Sequence, residues 1–452
     1  LSARLSELAL WLSGRVHGGD ALITGVSNDT RLIQPDMLYV ALRGERLDGH
    51  TFLTQAKQAG AGAALVAQAD ASVELPQLIV ADPLLALGEL ARRYRSRMPA
   101  RVVGVTGSNG KTTVKTLTAS ILGRIGSCHA NPGNRNNEIG LPLAGLGLQL
   151  AHAFAGFGMG AGKPGDIAYL SAIAQPHVGV VNNVAPAHLE RMGSLDGVAE
   201  TKGALYEALP ADGTAIINAD DAYADVFARR VSARRILRYR LDAEADVSAR
   251  VLSIGEQCRF QLVTPRGDGE IVLPLPGRHN ISNALAAAAV ASALDAPFDA
   301  IRIGLESVTG VSGRLRLLRQ PAGYSLIDDT YNANPASVAA AIRTLVSLPG
   351  EPWLVLGDMA ELGPQAEALH AQVGTLAREA DVQRLFTLGN LSRAASDAFG
   401  AGAMHFAQRD ELVAELRRSL EPGVVCLVKG SRSAGMERVL TELGAGGLDH
   451  AA

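Results

Sequence analysis

The stretch "RVVGVTGSNGKTTVKTLTASIL", residues 101–122, decides the fold of this chain. Its first part is an apolar run of strand length, and its last part, "KTTVKTLTASIL", is expected to form a helix. Between them, Gly107 and Gly110 let the backbone curl so that its N–H groups face a phosphate at the helix N-terminus. Lys111 would reach the terminal phosphates of a nucleotide, and Thr112 would offer its hydroxyl to Mg²⁺. The stretch therefore predicts a phosphate-binding loop between a strand and a helix.

This loop matches the pattern G-x-x-x-x-G-K-[ST] imperfectly. Val105 stands where the first glycine belongs, and Gly104 lies one residue early. The alternative is a glycine-rich turn that carries a chance lysine. We favour nucleotide binding, because Gly-Lys-Thr between a strand and a helix is rarely accidental.

The residues around this loop repeat the same strand–helix order. The strand-like runs "AHAFAGFGMGA" and "HVGVVNNV" are each followed by a helical segment, and a polar β-rich insert at about 234–275 precedes a long Ala-rich helix. Such alternation predicts a mostly parallel sheet with helices on both faces. The central domain is expected to comprise residues 83–313 and to bind the nucleotide.

Two further α/β units flank the central one. Residues 1–82 contain three short apolar runs and one helical segment, and the next helix begins with Asp82 as its N-cap and Pro83 in its first turn. Residues 314–452 alternate strands and helices again and are typical of a Rossmann-like domain. The predicted fold class is thus α/β in three domains: a small N-terminal domain, a central parallel sheet with the phosphate loop, and a Rossmann-like C-terminal domain.

Composition narrows the possible partners and location. The net charge of the 452 residues is −3 and no segment is strongly basic, so nucleic acid is not an expected partner. The longest apolar run, "ALAAAAVASAL", is shorter than the ~20 residues that span a bilayer, and the first residues do not resemble a signal peptide. Three cysteines far apart fit a reducing compartment. We expect a cytoplasmic monomer without a membrane span.

A second glycine-rich stretch, "AFAGFGMGAGKPGDIAYL" at residues 153–170, has two possible interpretations. Gly156-x-Gly158-x-x-Ala161 fits a dinucleotide-binding fingerprint, but no acidic ribose partner is evident after a following strand. The chain also has a better phosphate loop at residues 104–113. We therefore interpret the stretch as an apolar strand that glycines weaken.

At this point the chain resembles a known family, the ATP-dependent Mur ligases of peptidoglycan synthesis. The resemblance is to the member that joins D-alanyl-D-alanine to UDP-N-acetylmuramoyl-tripeptide, and it covers all three domains. The motifs that carry it are "SNDTR" (27–31), "ALRGERLDGHTF" (41–52), "GVTGSNGKTT" (104–113), "NPGNRNNEIG" (131–140), "NNVAPAHLERMGS" (182–194), "GRHNISNALAA" (277–287), "SGRLRLL" (312–318), "DDTYNANPAS" (328–337), "LGDMAELG" (356–363) and "LVKGSR" (427–432). Two relatives fit less well: the chain lacks the Asp-Asn-Pro-Arg box of the diaminopimelate- or lysine-adding ligase, and it reads Gly110-Lys111-Thr112 where folylpolyglutamate synthetases usually read Gly-Lys-Gly.

The resemblance implies a reaction and its cofactors, ATP and Mg²⁺. ATP would phosphorylate the terminal carboxylate of UDP-N-acetylmuramoyl-tripeptide. The amine of D-alanyl-D-alanine would then attack the acyl phosphate, and phosphate would leave. The N-terminal domain would bind the UDP-sugar, and the C-terminal domain would bind the incoming dipeptide.

The resemblance also implies roles for individual residues. Lys111, His188 and Lys202 would be catalytic, and Thr112, His188 and Lys202, the last as a carbamate, would hold the metal. The residues implied at ATP are Gly107, Ser108, Asn109, Gly110, Lys111, Thr112, Thr113, Asn280, Arg314, Asp329 and Asn332. The residues implied at the other substrates are Asp29, Arg31, Asp48, Gly49, His50, Asn134, Asn136, Asn137, Lys429, Ser431 and Arg432.

Each of these residues also has a simpler interpretation. Lys202 shares a helical face with Val198, Leu205 and Leu209, where a lysine commonly extends its amine to solvent. Burial would instead lower the pKa of its amine, and a neutral amine can take up CO₂. The asparagines of the loop at residues 134–137 are equally suited to turns, and the remaining polar residues to helix capping or a solvated surface.

The sequence departs from the family at Gly158. The family's strand usually ends in Glu-x-Gly, and that glutamate binds Mg²⁺; aligned on "MGAGKPGDIAYL", its position falls on Gly158. The leading hypothesis is an active ligase. The alternative is a catalytically weakened homologue that keeps the three domains and still binds the ligands.

Overall fold

Three large β-sheets, each in a different part of the chain, organise this computed structural model, which describes residues 1–44, 46–186, 189–231 and 235–445. The strands are β1 (Ala3–Arg4), β2 (Arg15–His17), β3 (Leu22–Ile23), β4 (Gly25–Ser27), β5 (Met37–Val40), β6 (Ala63–Val66), β7 (Gln77–Ile79), β8 (Arg101–Thr106), β9 (Cys128–Ala130), β10 (Phe154–Gly158), β11 (Val178–Val181), β12 (Thr214–Asn218), β13 (Arg235–Leu241), β14 (Val247–Ser253), β15 (Cys258–Thr264), β16 (Gly267–Leu273), β17 (Arg316–Arg319), β18 (Ser325–Asp329), β19 (Glu351–Gly357), β20 (Arg384–Leu388), β21 (Ala403–Phe406) and β22 (Val424–Lys429).

The α-helices alternate with these strands through most of the chain. They are α1 (Leu5–Leu12), α2 (Leu53–Gln58), α3 (Pro83–Arg95), α4 (Lys111–Leu122), α5 (Gly140–Gly145), α6 (Asp166–Ala174), α7 (Leu189–Met192), α8 (Leu195–Glu207), α9 (Ala224–Arg230), α10 (Arg278–Ala293), α11 (Phe298–Glu306), α12 (Pro335–Val346), α13 (Ala366–Glu379), α14 (Arg393–Phe399), α15 (Arg409–Ser419) and α16 (Glu437–Glu442). The predicted α/β class is confirmed.

The central sheet has nine strands in the order β16-β15-β14-β13-β12-β11-β8-β10-β9. Its strands from β9 to β14 run parallel, whereas β14, β15 and β16 pair antiparallel. The predicted β-rich insert falls on this antiparallel part, which extends the sheet at one edge. The phosphate-loop strand β8 lies between β10 and β11, so its carboxyl end is in the middle of the parallel part, where open α/β sheets bind ligands.

The outer sheets are smaller. The N-terminal sheet has the order β2-β7-β6-β5-β4, with only β2 antiparallel, and the C-terminal sheet has the order β17-β18-β22-β19-β20-β21, with only β17 antiparallel. The antiparallel edge strand β17 was not predicted from the sequence. No helix among the described residues is long and apolar enough to cross a membrane.

Helix α3 joins the N-terminal and central parts of the chain. It begins as the sequence predicts, because Asp82 Oδ1 accepts hydrogen bonds from the backbone N–H groups of Leu84 (2.7 Å) and Leu85 (3.1 Å). Its buried Leu87 and Leu90 belong to one apolar cluster that runs from α1 to the helices of the central sheet. Burying a leucine side chain stabilises a fold by about 1.5–3 kcal/mol, so this shared core holds the two parts together.

Strand β10 contains both glycines of the second glycine-rich stretch. Gly156 pairs with Val103 and Ala130, and Gly158 pairs with Val105, in regular parallel register. They therefore lie within a strand. A dinucleotide fingerprint requires its glycines in the turn that leads from a strand into a helix, so the stretch does not have that geometry. A methyl group built on Gly156 would meet only Lys115 Cγ, at 3.9 Å.

The open space beside Gly156 predicts that Gly156→Ala stabilises the protein. Alanine restricts the unfolded chain more than glycine does, and it would fit here without strain, so the gain should be about 0.4–1 kcal/mol. Thermal unfolding followed by circular dichroism should show a midpoint higher by about 1–4 °C. The matched control is Gly104→Ala in β8, whose Cβ would lie 3.0 Å from both Leu205 Cδ1 and Met159 Cε and should bring no gain. A lower midpoint for Gly156→Ala would contradict the prediction.

Candidate active site

The phosphate loop requires glycine at two positions. Gly107 and Gly110 have φ angles of 144° and 81°, a region that side chains disfavour. A Cβ on Gly110 would also collide with Asn182 Nδ2 and Asn283 Oδ1. Helix α4 begins immediately after this contact, so its N-terminus and the loop's N–H groups point towards the same space.

Asparagine amides fix the loop from behind. The backbone N–H of Asn109 donates to Asn183 Oδ1 (2.8 Å), and Asn182 Nδ2 donates to the carbonyl of Asn109 (3.0 Å) and to Asn283 Oδ1 (2.9 Å). Asn283 Nδ2 in turn donates to Asn280 Oδ1 (3.0 Å). The chain of amides runs from the loop to α10 and holds the loop in one conformation.

Lys111 and Arg314 line the space in front of the loop, and Lys202 is a buried third cation whose charge acts on Lys111. Lys111 folds back so that its Nζ donates to the carbonyl of Gly107 (2.5 Å). Burial lowers the pKa of Lys111 well below its usual value, and the nearby charges of Lys202 and Arg314 lower it further. Like charges repel each other, so an anion placed between Lys111 and Arg314 would be favoured. The arrangement suits a polyphosphate.

Two adjacent cavities open beside the loop. The more polar one has a volume of about 350 Å³ and is lined by Ser108, Asn109, Gly110, Lys111, Thr112, Asn136, Asn137, Glu138, Gly160, Ala161, Gly162, Lys163, Asp166, Arg191, Arg314, Tyr331, Asn332, Ala333, Asn334 and Ser337. The more apolar one, of about 300 Å³, includes Thr113, Leu117, Leu275, His279, Asn280, Val308, Asp329 and Lys429 in its lining. Most of the residues expected at ATP thus come together; Gly107 contributes through its carbonyl to Lys111.

The C-terminal domain closes one side of these cavities with a charged group. Lys429 Nζ donates to Asp329 Oδ2 (2.6 Å) and to the carbonyl of Asn332 (2.9 Å). Lys429 and Asp329 are the last residues of the parallel strands β22 and β18, and Asn332 lies in the loop after β18. Burial raises the pKa of Asp329, although Lys429 and Arg314 oppose the shift. The Arg314 guanidinium lies over the ring of Tyr331, 4.0 Å from its centroid. Lys429 thus lies among residues expected at ATP, and its predicted role at a substrate carboxylate stays a prediction.

The other two residues expected near Lys429 lie outside both cavities. Ser431 Oγ donates to the carbonyl of Asp358 (2.6 Å), and Arg432 is exposed and paired with Glu437 (3.4 Å). Their predicted role at a substrate remains a prediction.

Asn334 joins the C-terminal domain to the phosphate loop and was not singled out from the sequence. Its side chain caps α12 together with Ser337, and its Nδ2 donates to Asn109 Oδ1 (2.8 Å). The signal was present in "NANPAS", since an asparagine directly before a proline is a typical helix start. The tertiary contact between residues 225 positions apart had no signal of its own.

Comparison with known proteins decides the family. The Mur ligase catalytic, middle and glutamate ligase domains match residues 22–95, 105–291 and 313–432. The UDP-N-acetylmuramoyl-tripeptide–D-alanyl-D-alanine ligase of Escherichia coli is 44% identical over 98% of both chains, and that of Bacillus subtilis is 34% identical over 93% of both. The chain belongs to the Mur ligase family. Its members are ATP-dependent amide-bond ligases.

Solved structures agree with this assignment. A crystal structure of MurF from Acinetobacter baumannii superposes with a TM-score of 0.92 at 32% identity and covers 98% of this chain and 99% of that one. MurF from Thermotoga maritima in complex with ADP superposes with a TM-score of 0.82 at 27% identity, over 93% and 96% of the two chains. The three-domain α/β architecture of this Mur ligase is therefore that of its relatives.

The expected substrate residues of the N-terminal domain form local pairs in this Mur ligase. Asp29 pairs with Arg31 (2.6 Å), and Asp48 accepts from the backbone N–H of His50 (3.0 Å). Arg31 lowers the pKa of Asp29 to about 2, with a smaller contribution from Arg135 of the central domain. Gly49 begins a short 3-10 helix, where a Cβ would approach Leu42 N to 2.7 Å.

The asparagines of the central-domain loop at residues 134–137 differ in their surroundings. Asn136 and Asn137 line the polar cavity, and Asn137 Oδ1 also accepts from the backbone N–H of Gly140 (2.9 Å). Asn134 is exposed and lines neither cavity. The loop therefore reaches the cavity through only part of its length.

Lys202 is buried on α8, with only 2% of the residue exposed. Burial lowers the pKa of its amine to about 8, although Asp166 acts in the opposite direction. It therefore does not extend its amine to solvent, and the simpler interpretation of its helical stripe is wrong. His188, the other residue expected at the metal and in catalysis, lies outside the described residues.

The described residues supply few ligands for a metal ion. No three His, Cys, Asp or Glu side chains of the described ranges gather as a metal site. Gly158 offers no side chain, and its backbone N–H and carbonyl are both bonded to the amide of Asn131, at 2.9 and 3.2 Å. Thr112 lines the polar cavity. This set fits one Mg²⁺ bound mainly by phosphate oxygens, with Thr112 as a protein ligand.

Proposed function

We propose that this protein joins D-alanyl-D-alanine to UDP-N-acetylmuramoyl-tripeptide, at the expense of ATP and through an acyl phosphate. The observation that carries the proposal is the placement of Lys111 and Arg314 in one polar cavity beside the phosphate loop, a cavity that two domains line. The proposal is supported by 44% identity, over 98% of both chains, to the Escherichia coli ligase that is named for these substrates.

The two cavities suggest how the ligands divide. The adenosine of ATP would occupy the more apolar cavity, with Thr113, Asn280 and Asp329 around it, and its phosphates would follow the loop from Ser108 to Thr112 into the polar cavity. The tripeptide carboxylate would enter the polar cavity past Asn136 and Asn137. The UDP moiety would extend towards Asp29 and Asp48 of the N-terminal domain, and the dipeptide would approach along the C-terminal domain near Ser431 and Arg432.

These residues would act on charge and position. The reacting carboxylate and the terminal phosphate are both anions, so their approach requires neutralisation by Lys111 and Arg314. Mg²⁺, held through Thr112, would neutralise further phosphate charge. Asn334 would keep the C-terminal domain against the loop so that water is excluded while the acyl phosphate exists.

The remaining expectations follow from this chemistry. Lys202 as a carbamate and His188 would hold the metal with Thr112. All proposed ligands come from one chain, so we expect a monomer to suffice. ATP and a UDP-linked precursor are cytoplasmic compounds, and we expect the protein to act there. The division at residues 1–82, 83–313 and 314–452 remains part of the proposal.

Phosphate release with each substrate omitted in turn tests the proposed reaction. Release should require ATP, UDP-N-acetylmuramoyl-tripeptide and D-alanyl-D-alanine together, and mass spectrometry should detect the pentapeptide product. Binding of ATP and UDP-tripeptide without phosphate release would instead favour the alternative, a catalytically weakened homologue. Position 158, where the family has a metal-binding glutamate, is the reason for that alternative.

Replacement of the loop lysine should remove catalysis. Lys111→Ala deletes the cation nearest the transferred phosphate, and loss of one such electrostatic contact typically costs about 10²–10³ in kcat. The rate should be measured by coupled phosphate release at saturating substrates. Lys57→Ala, at a surface lysine of the N-terminal domain paired with Glu74, is the control and should leave the rate unchanged. Near-normal turnover in Lys111→Ala would remove the loop from the mechanism.

The carbamate on Lys202 predicts a chemical rescue. Lys202→Ala should lose most activity, and acetate or formate should restore part of it by occupying the vacated anion position. Carbon-13-labelled bicarbonate should give a carbamate NMR signal in the unsubstituted protein and none in Lys202→Ala. Full activity of the variant, or the same signal in both proteins, would contradict the role.

A carboxylate restored at position 158 should strengthen metal binding. The Cβ of a side chain there would meet Lys115 Cδ at 3.8 Å and the Asn131 amide at 3.9 Å, which are ordinary contacts. Gly158→Glu should raise kcat and lower the Mg²⁺ concentration that gives half-maximal activity by about 10–100-fold. Loss of a residue that supports a metal site typically changes metal affinity or activity by that factor. The isosteric control Gly158→Gln should do neither. Titration of Mg²⁺ at fixed ATP measures both, and identical curves for Gly158→Glu and the unsubstituted protein would show the alignment to be wrong.

A further inference from the structure

Lys115 is a buried lysine for which the proposed chemistry has no use. It lies on α4 four residues after Lys111, about 6 Å further along the same helix, and only 6% of it is exposed. Its stem lies over β10: its Cγ is 3.9 Å from the Cβ position of Gly156, and its Cδ is 3.8 Å from that of Gly158. Because neither glycine has a side chain, β10 leaves a channel in which the stem of Lys115 lies.

The ammonium of Lys115 ends on the loop at residues 131–138. Its Nζ donates to the carbonyl of Asn131 and to the carbonyl of Gly133 (3.3 Å). Asn131 in turn holds both backbone groups of Gly158, and its Nδ2 donates to the carbonyl of Arg135 (2.6 Å). The start of the loop is thus attached to α4 through Lys115 and to β10 through Asn131.

The charge of Lys115 has no carboxylate partner among the described residues. Burial lowers the pKa of its ammonium to about 8, and no neighbouring charge contributes to the shift. Backbone carbonyls alone stabilise the charge, and a buried ammonium is costly even when it is hydrogen-bonded. A methionine would fill the same channel without that cost, so packing alone does not account for a lysine here.

We propose that Lys115 is a positioning residue that sets the distance between the phosphate loop and the loop at residues 131–138. The proposal rests on the proposed function, in which Lys111 holds the terminal phosphate and Asn136 and Asn137 border the path of the sugar-peptide carboxylate. Both lysines project from one rigid helix, so the carboxylate loop is fixed relative to the phosphate that it must approach. A misplacement of about 1 Å between reacting groups can cost 10²-fold in rate.

The test compares Lys115→Met, which keeps most of the stem and removes the ammonium, with Lys115→Arg, which keeps the charge. Initial rates are measured against ATP and against UDP-N-acetylmuramoyl-tripeptide, and the affinity of each is measured separately by calorimetry. Lys115→Met should leave the ATP affinity within twofold, weaken UDP-tripeptide binding and lower kcat by about 10–100-fold. Lys115→Arg should recover at least half of that loss on a logarithmic scale.

A merely structural role predicts a different pattern. It would lower the unfolding temperature and weaken ATP and UDP-tripeptide binding in parallel, and that outcome overturns the proposal. Unchanged kinetics and affinities in Lys115→Met overturn it as well. If the unsubstituted protein releases no phosphate, the proposed function fails by itself; calorimetry then decides, since a selective loss of UDP-tripeptide affinity supports the positioning role and an unchanged affinity overturns it.

Discussion

The close approach of Gly110 to Asn182 and Asn283 is the constraint on which the site depends. Because no side chain separates the loop from these amides, the loop packs against both the end of β11 and α10, and α4 begins at the next residue, Lys111. This helix places Lys111 over the loop and Lys115 over β10. The absence of a Cβ at Gly110 thus allows the close packing that precedes the helix on which both cations lie.

The electrostatics of the site follow from burial more than from pairing. Lys111, Lys202 and Lys115 all have lowered pKa values, and burial is the first cause for each. Lys429, by contrast, is paired with a carboxylate, that of Asp329, at 2.6 Å. Of these three lysines, Lys111 lines the polar cavity, so a polyanion bound there would offset the cost of burying its charge.

Sequence patterns predicted the elements well and the tertiary contacts poorly. The phosphate loop and the cap at Asp82 are local, since their signals lie within a few residues, and the structure has both as predicted. The contact of Asn334 with Asn109, the path of Lys115 and the pairing of Lys429 with Asp329 join residues that are distant in sequence or on different elements, and periodicity carries no information on them. Lys202 could be placed on a helix face, but only its packing decides between solvent and burial.

The distribution of apolar cores has a consequence for how the chain can move. One core continues from the N-terminal sheet through α3 into the central domain, whereas the apolar clusters of the C-terminal domain contain no residue of the other two. The junction there is made by polar contacts such as that of Asn334, and the connecting chain passes through Gly313 and Leu315, both with positive φ. Polar contacts exchange readily with water, while a shared core does not. The shared core ties the first two domains together, so we expect any change in the orientation of the third domain to be accommodated at residues 313–315.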